Sequence, residues 1–299
     1  MSIKIGNTNI ADIKLGNQNI KKVYRGSDLI WEKQSPTPTG DNKLTYDGTE
    51  YILVDNIAPD LFVTYSSGSY KTQTYPLKNG ETLVIDYSDE TERAKLTSLE
   101  LHTFSKTQIG NYFLSYCTSL SSVDLSGLSS VTSIGDNFLD NCTSLASLNL
   151  DLPILTKIGN SFLSCCEDLT SLTLDFPVLT QIGDGFLNIC STLNSLTLNF
   201  PILTQIGHSF LCYCEALTSL TLDFPALTQI NYAFLYSCSA LTTLTLWDQD
   251  PQTITIKNKT NWLYNTPNLN TIYVPGKYTR YYNETDPWDK KSGKYFAKQ

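Results

Sequence analysis

Histidine is almost absent from this chain: His102 and His208 are the only two in 299 residues. By spacing, no Ser-His-Asp set or general-base pair can be assembled from them. No G-x-S-x-G, P-loop or H-E-x-x-H text appears either, so the expectation is a protein that is not an enzyme and needs no cofactor. Basic residues are also in deficit. The 21 Lys and Arg face 29 Asp and Glu, a net charge of −8, so the positive stripe of a nucleic-acid binder is missing and no nucleic-acid partner is expected. No window reaches the ~18 consecutive apolar residues of a membrane span, so no membrane insertion is expected. Met1-Ser-Ile-Lys-Ile-Gly-Asn is patterned as strand and turn rather than as a secretion leader, which implies a product made in the cytosol.

Cysteine is not scarce, but the pairings that would make it useful are. Of 8 cysteines, Cys117, Cys142, Cys166, Cys190, Cys214 and Cys238 recur at a common interval. Side chains stacked one chain layer apart lie about 5 Å from each other, whereas a disulfide needs Cβ atoms roughly 3.8 Å apart. Buried free thiols are the expectation. Cys165 and Cys212 stand outside the row. With Cys166, Cys190 and Cys214 they could suggest zinc, yet no histidine or C-x-x-C pair accompanies them, and no metal is assigned.

What the chain does have is a repeat. From Leu96 to Ala240 one unit is written six times, opening at Leu96, Leu120, Leu145, Leu169, Leu193 and Leu217, at intervals of 24, 25, 24, 24 and 24 residues. Counted from each leucine, positions 1, 4, 6, 11, 14, 18 and 19 are apolar, as in Leu169, Leu172, Leu174, Leu179, Ile182, Phe186 and Leu187. Alternation over positions 4 to 6 is strand-like. One such unit cannot close a core, but units stacked about 4.8 Å apart bury leucine on leucine. The period and the L-x-x-L-x-L opening predict a β-rich leucine-rich-repeat solenoid with one parallel strand per 24-residue coil. Gly110, Gly135, Gly159, Gly183 and Gly207 at position 15 suggest a corner of positive φ, with Asn231 as the tolerated replacement. Pro153, Pro177, Pro201 and Pro225 fix a second corner after the strand.

The text Ile-Gly-Asp-Asn-Phe-Leu-Asp-Asn-Cys-Thr-Ser-Leu, from Ile134 to Leu145, resembles the BspA-type (Treponema pallidum) leucine-rich repeat, whose coils carry I-G-x-x-A-F-x-x-C-x-x-L. Phe-Leu stands here where that pattern has Ala-Phe. The resemblance extends to Leu269-Asn-Thr-Ile-Tyr-Val-Pro and the aromatic stretch through Trp288, and it implies surface proteins and adhesins.

Outside the coils the chain divides into residues 1–33, 34–42, 43–95 and 269–299, with the repeats spanning 96–268. In the first, Gly6, Gly16 and Gly26 sit ten apart between apolar residues, which predicts three hairpins with primed turns. Its apolar set includes Ile5, Ile10, Leu15, Ile20, Val23 and Trp31 and has no adequate core of its own. Those residues either fold back on the chain or form an attachment arm. The I-G-N and V-Y-x-G-x-x-x-I-W phrases resemble an N-terminal motif of bacteriophage tail-fibre and capsid-associated proteins, which implies docking on virion structural proteins or on copies of itself. Residues 34–42, rich in Pro, Ser and Thr, read as a linker. Residues 43–95 read as a β cap, with reversals at Asp47-Gly48, Ser66–Ser69 and Lys78–Glu81. Thr253–Ile256 reads as an insertion and Lys277–Trp288 as a helical turn over the C-terminal end.

Three surfaces could bind something. Asp151, Asp175, Asn199 and Asp223 at position 7 could recruit calcium, although Asx residues before proline more often bond local backbone. Thr and Ser on the exposed strand face offer no anchor. Tyr112, Tyr116, His208, Tyr213, Tyr232 and Tyr236, at positions 16–17 and 20–21, gather aromatic character along one edge and are the candidate contacts for a host glycan or protein. Together these features point to a non-enzymatic phage virion protein, on capsid or tail, that displays the solenoid for adhesion to a bacterial surface, glycan or mucus. The alternatives are a bacterial cell-surface adhesin and a polysaccharide depolymerase.

Overall fold

The computed structural model describes residues 40–55, 72–246 and 261–269, together with the strands at 4–5, 8–9, 13–15, 18–20, 22–25, 28–32, 255–256, 271–274 and 295–298, largely as backbone. Two compact units result, Met1–Gly40 and Asp41–Gln299. The first contains three antiparallel hairpins, Lys4–Ile5 with Thr8–Asn9, Ile13–Leu15 with Gln18–Ile20, and Lys22–Arg25 with Asp28–Glu32. The antiparallel pairing of these strands agrees with the hairpins that the spacing predicts, while Gly6, Gly16 and Gly26 lie outside the described residues. Ile10 lies outside the described residues, as do the side chains of the other arm positions.

The second unit opens with a hairpin, Lys43–Tyr46 with Thr49–Ile52. Its turn residues Asp47 (φ 49°) and Gly48 (φ 74°) are both left-handed, which matches the twist of the flanking strands. The hairpin pairs antiparallel with the first coil strand, Leu96–Glu100, covering the end of the stack. Asn42, within the stretch that composition marks as linker, is fully buried and pins this cap. Its side-chain oxygen Oδ1 accepts from His102 N–H at 2.7 Å and Thr103 N–H at 3.0 Å, while its side-chain Nδ2 donates to Val54 C=O at 3.0 Å. A second hairpin joins Thr72–Pro76 to Thr82–Asp86. Composition does not announce the short helix Glu90–Arg93, capped by Asp89. The expected reversal at Ser66–Ser69 and the helical turn at Lys277–Trp288 lie outside the described residues.

The coils stack as the leucine spacing requires. Parallel pairing joins Leu99 to Val123, Leu148 to Val123 and Leu172 to Leu196 in matching registers. Each coil also carries a second, two-residue strand at positions 13–14, so Gln108–Ile109, Ser133–Ile134, Lys157–Ile158, Gln181–Ile182 and Gln205–Ile206 form one further parallel sheet. Thr255–Ile256 pairs with Gln229–Ile230 in the same manner, so this part of the expected insertion is the second strand of a seventh coil. Tyr295–Lys298 then lies parallel to Thr271–Val274. Position 18 supplies a column of buried rings: Phe113, Phe138, Phe162, Phe186, Phe210 and Phe234 follow one another at 5.2 to 5.4 Å, almost parallel. Burying each large side chain contributes about 1.5–3 kcal/mol against an exposed reference, and only stacking makes that burial available.

The position-15 glycines are needed for a different reason from the one their spacing suggests. None of them has positive φ. A Cβ on Gly159 would sit 2.6 Å from the Gly135 carbonyl carbon, and one on Gly207 would sit 2.4 Å from that of Gly183. Glycine here lets one main chain lie against the next. The left-handed residues are those at positions 17, 19 and 21, where Leu114, Leu139, Leu163, Leu187, Leu211 and Leu235 hold φ between 51° and 54°. Non-glycine residues in that region cost about 1–2 kcal/mol each, and cross-coil bonds hold them there, such as Leu163 N–H to Phe138 C=O at 2.9 Å.

Candidate binding surface

The corner that contains the candidate aromatic residues is built on a ladder at position 16. The Asn111 side chain accepts from Asp136 N–H, Asp136 from Asn160 N–H, Asn160 from Asp184 N–H and Asp184 from His208 N–H, at 2.6 to 2.8 Å. His208 Nδ1 then accepts from Tyr232 N–H at 3.3 Å, so the ring proton sits on Nε2. His208 and Tyr232 therefore continue a structural ladder while leaving their rings exposed, 6.2 Å apart and edge to face.

The six candidate residues fall into two groups. Tyr112 packs half-buried against the core, and Tyr116, 39% exposed, lies beneath the Arg93 guanidinium at 5.9 Å from the ring centre. Both belong to the first coil, where Arg93 also donates to Tyr87 C=O, so this end serves the cap. His208, Tyr213, Tyr232 and Tyr236 gather instead on the fifth and sixth coils. Tyr213 meets Tyr236 edge to face at 5.4 Å, and Tyr236 stacks on Tyr264 at 5.2 Å. Tyr264, 54% exposed, extends the aromatic set but escapes a reading that follows the cysteine row, because Thr266 replaces cysteine in that coil. Burial first, then the neighbouring Tyr213 and Tyr264, push the Tyr236 phenol above its usual value.

The other candidates resolve locally. In the position-7 row Asn199 donates to Asp175 at 2.7 Å, so an amide relieves the stacked carboxylates. Among the described residues no three His, Cys, Asp or Glu side chains are grouped as metal ligands. The cysteine row consists of free thiols. Each of Cys142, Cys166, Cys190, Cys214 and Cys238 donates to a leucine carbonyl of the preceding coil at 3.1 to 3.3 Å. Burial pushes Cys117, Cys190 and Cys238 up to about 12 and Cys212 to about 11, which leaves almost no thiolate at neutral pH. A column of exposed apolar side chains, Ile154, Val178 and Ile202, follows the prolines.

One expectation needs correction. A Ser-His-carboxylate set does assemble, because residues about 24 apart become neighbours: His102 Nδ1 lies 3.3 Å from Ser126 Oγ, and Nε2 lies 3.4 Å from Glu100. It lacks the rest of a hydrolytic site. The N–H of Ser126 is bonded to Asp124 at 3.0 Å and that of Gly127 to Leu101 C=O at 2.9 Å, so neither can stabilise an oxyanion. A Cβ on Gly127 would fall 2.3 Å from the His102 carbonyl carbon, so main chain fills the space beside the histidine. The set ties the first coil to the second.

Comparison with known families settles what the coils are. The BspA type leucine rich repeat region matches residues 91–200 and 156–285, in 6 copies. The chain belongs to this family. Membership of the BspA-type family suggests a repeat protein of the surface or adhesion type. The solved leucine-rich repeat protein from Bacteroides ovatus is similar over 82% of this chain and 74% of that chain, at 19% identity and a TM-score of 0.37. No curated protein matches. Among the described residues no helix is long and apolar enough to cross a membrane.

Proposed function

We propose that this BspA-type protein is a non-enzymatic adhesion module whose fifth to seventh coils present an aromatic ladder, Tyr213, Tyr236 and Tyr264, to a glycan or protein on a bacterial surface or in mucus. The observation that carries this reading is local. Position 20 holds small or polar residues in the first five coils (Ser115, Asp140, Ser164, Asn188, Cys212) and becomes tyrosine at Tyr236 and Tyr264, beside Tyr213 at position 21; the three rings meet at 5.2 to 5.4 Å with 40% and 54% exposure at the two ends. Exposed tyrosine anchors are what binding hot spots are made of. The test is binding of labelled protein to intact bacteria and mucin-coated surfaces, using a Tyr213→Ser, Tyr236→Ser, Tyr264→Ser variant that carries a residue type found elsewhere in this corner. We expect binding to weaken by about tenfold or more; undiminished binding would remove the ladder from the function.

The carrier of the module divides into two readings. Three consecutive hairpins in Met1–Gly40 support an arm that docks on virion structural proteins or pairs with copies of itself, the reading that its resemblance to phage motifs implies. Family membership supports a bacterial cell surface. Mass spectrometry of purified phage particles separates the two: the protein present, and lost on deletion of residues 1–33, supports the virion; its absence from particles rules that out. The depolymerase alternative fails if polysaccharide incubated with the protein yields no new reducing ends.

A further inference from the structure

The solenoid has a seam between its fifth and sixth coils. The second sheet runs unbroken from Gln108–Ile109 to Gln205–Ile206, but Gln229–Ile230 pairs only onward, with Thr255–Ile256. The first sheet divides at the same level, between Ser195–Asn199 and Ser219–Thr221, as it also does between Ser147–Leu150 and Ser171–Asp175, so only at the fifth and sixth coils are both sheets parted together. The position-15 residue accounts for the break in the second sheet. Gly135, Gly159 and Gly183 each donate their N–H to an isoleucine carbonyl of the preceding coil at 2.9 to 3.0 Å, an approach that leaves no room for a Cβ. The sixth coil has Asn231 there. Its main chain stands off, and its side-chain amide takes over the bond, donating to Ile206 C=O at 2.6 Å while its oxygen accepts from Gln229 at 2.8 Å. The threonine column registers the same gap. Thr132, Thr156, Thr180 and Thr204 hydroxyls each donate to the threonine carbonyl one coil back at 2.9 to 3.0 Å, and among the described residues Thr228 makes no such bond.

A groove of about 470 Å³ opens at this seam, walled by Asp184, Gln205, Thr228, Gln229 and Asn231 over the side-chain-free backbone of Gly183 and Gly207. We infer that this groove is a binding site for a neutral saccharide of one or two sugar rings. Its volume lies within the range of small-molecule sites. Its walls offer amides, hydroxyls and one carboxylate, groups that donate to and accept from ring hydroxyls. Only one Asp184 oxygen is engaged in the ladder, with His208 N–H at 2.6 Å. No cation lines the groove and the chain carries −8, so phosphate, sulfate and uronate ligands are disfavoured. An inserted peptide strand would find only two-residue edges, Gln205–Ile206 and Gln229–Ile230, too short for a main-chain ladder. His208 and Tyr232, whose rings are exposed, follow Asp184 in the same column of the stack.

The inference deepens the adhesion reading by naming a ligand class, and it places that ligand apart from the Tyr213–Tyr236–Tyr264 ladder. The experiment is saturation-transfer NMR and calorimetry on the full chain with maltose, cellobiose, lactose and N,N′-diacetylchitobiose, with glucuronate, glucose 6-phosphate and an extended Thr/Ser-rich peptide as comparison probes. Saturable binding of at least one neutral disaccharide, with Kd on the order of 1 mM or tighter, is expected. Asn231→Gly, which lets the coils close, should raise Tm and weaken that binding about tenfold or more. Gln205→Ala, on the wall, should weaken it without raising Tm, and Tyr264→Ala should leave it unchanged. Failure of every neutral sugar to bind, binding only of an anion or the peptide, or sugar binding indifferent to both Asn231→Gly and Gln205→Ala would overturn the inference. Adhesion that survives without sugar binding removes the groove and keeps the proposed function; sugar binding without adhesion does the reverse.

Discussion

In the corner, six phenylalanine rings from Phe113 to Phe234 stack without interruption, whereas the two parallel sheets of the same coils are each divided. The difference lies in what each contact demands. A ring column needs only a buried phenylalanine at the same place in every coil, and side chains adjust by small rotations. The sheets need main chains to approach within hydrogen-bonding distance. In the second sheet, at position 15 only glycine permits that, and the approach fails where Asn231 intervenes. The stack is held by its side-chain columns and corner bonds, and the second sheet follows where glycine allows.

Three changes would break or sharpen this contrast. The largest effect is expected at Phe186, fully buried between Phe162 and Phe210. Phe186→Ala should cost about 3–5 kcal/mol, read as a lower urea midpoint; a loss much below 1 kcal/mol would show that the column is not what holds the coils. Next comes Gly183→Asn, which copies the seam two coils earlier. Its Cβ would meet the Gly159 carbonyl carbon at 2.6 Å, so a loss of about 1–3 kcal/mol is expected. Amide exchange should quicken at Gln181–Ile182 while the corner stays protected, and uniform exchange would contradict the division of labour between corner and sheet. The smallest effect is at Asp140, buried at position 20, where burial raises the carboxyl above its usual range despite hydrogen bonds from Asn141 and Ser164. Because the folded state holds this proton more tightly than the unfolded one, stability falls as pH rises from the ordinary carboxylate value through the raised one. Asp140→Asn should therefore raise Tm slightly at pH 7, with the gain fading as pH drops below the ordinary carboxylate range; a constant gain at all pH values would assign it to packing instead.

Much of the fold is legible in the residues because a leucine row at fixed spacing admits few shelters. The thiol row reads correctly for the same reason, since equivalent positions in stacked coils are parallel and cannot pair. The second sheet is not legible: strands of two residues are too short to show alternation. Nor is the conformation of the corner, where Leu163 or Leu187 adopts positive φ against its own preference because cross-coil bonds and ring packing over-determine it. Within the candidate surface, Tyr213 and Tyr236 stand out by composition. Tyr264 is masked by the absent cysteine, and the meeting of Glu100, His102 and Ser126 becomes visible only when positions one coil apart are placed side by side.

The amino-acid sequence by itself determined the coil, its length and its buried faces, because apolar periodicity leaves stacking as the one way to exclude water. Only the tertiary structure decided how closely each pair of coils meets. That distance depends on atoms contributed by two coils at once, and at Asn231 a single side chain where the others have none parts the second sheet beside a groove.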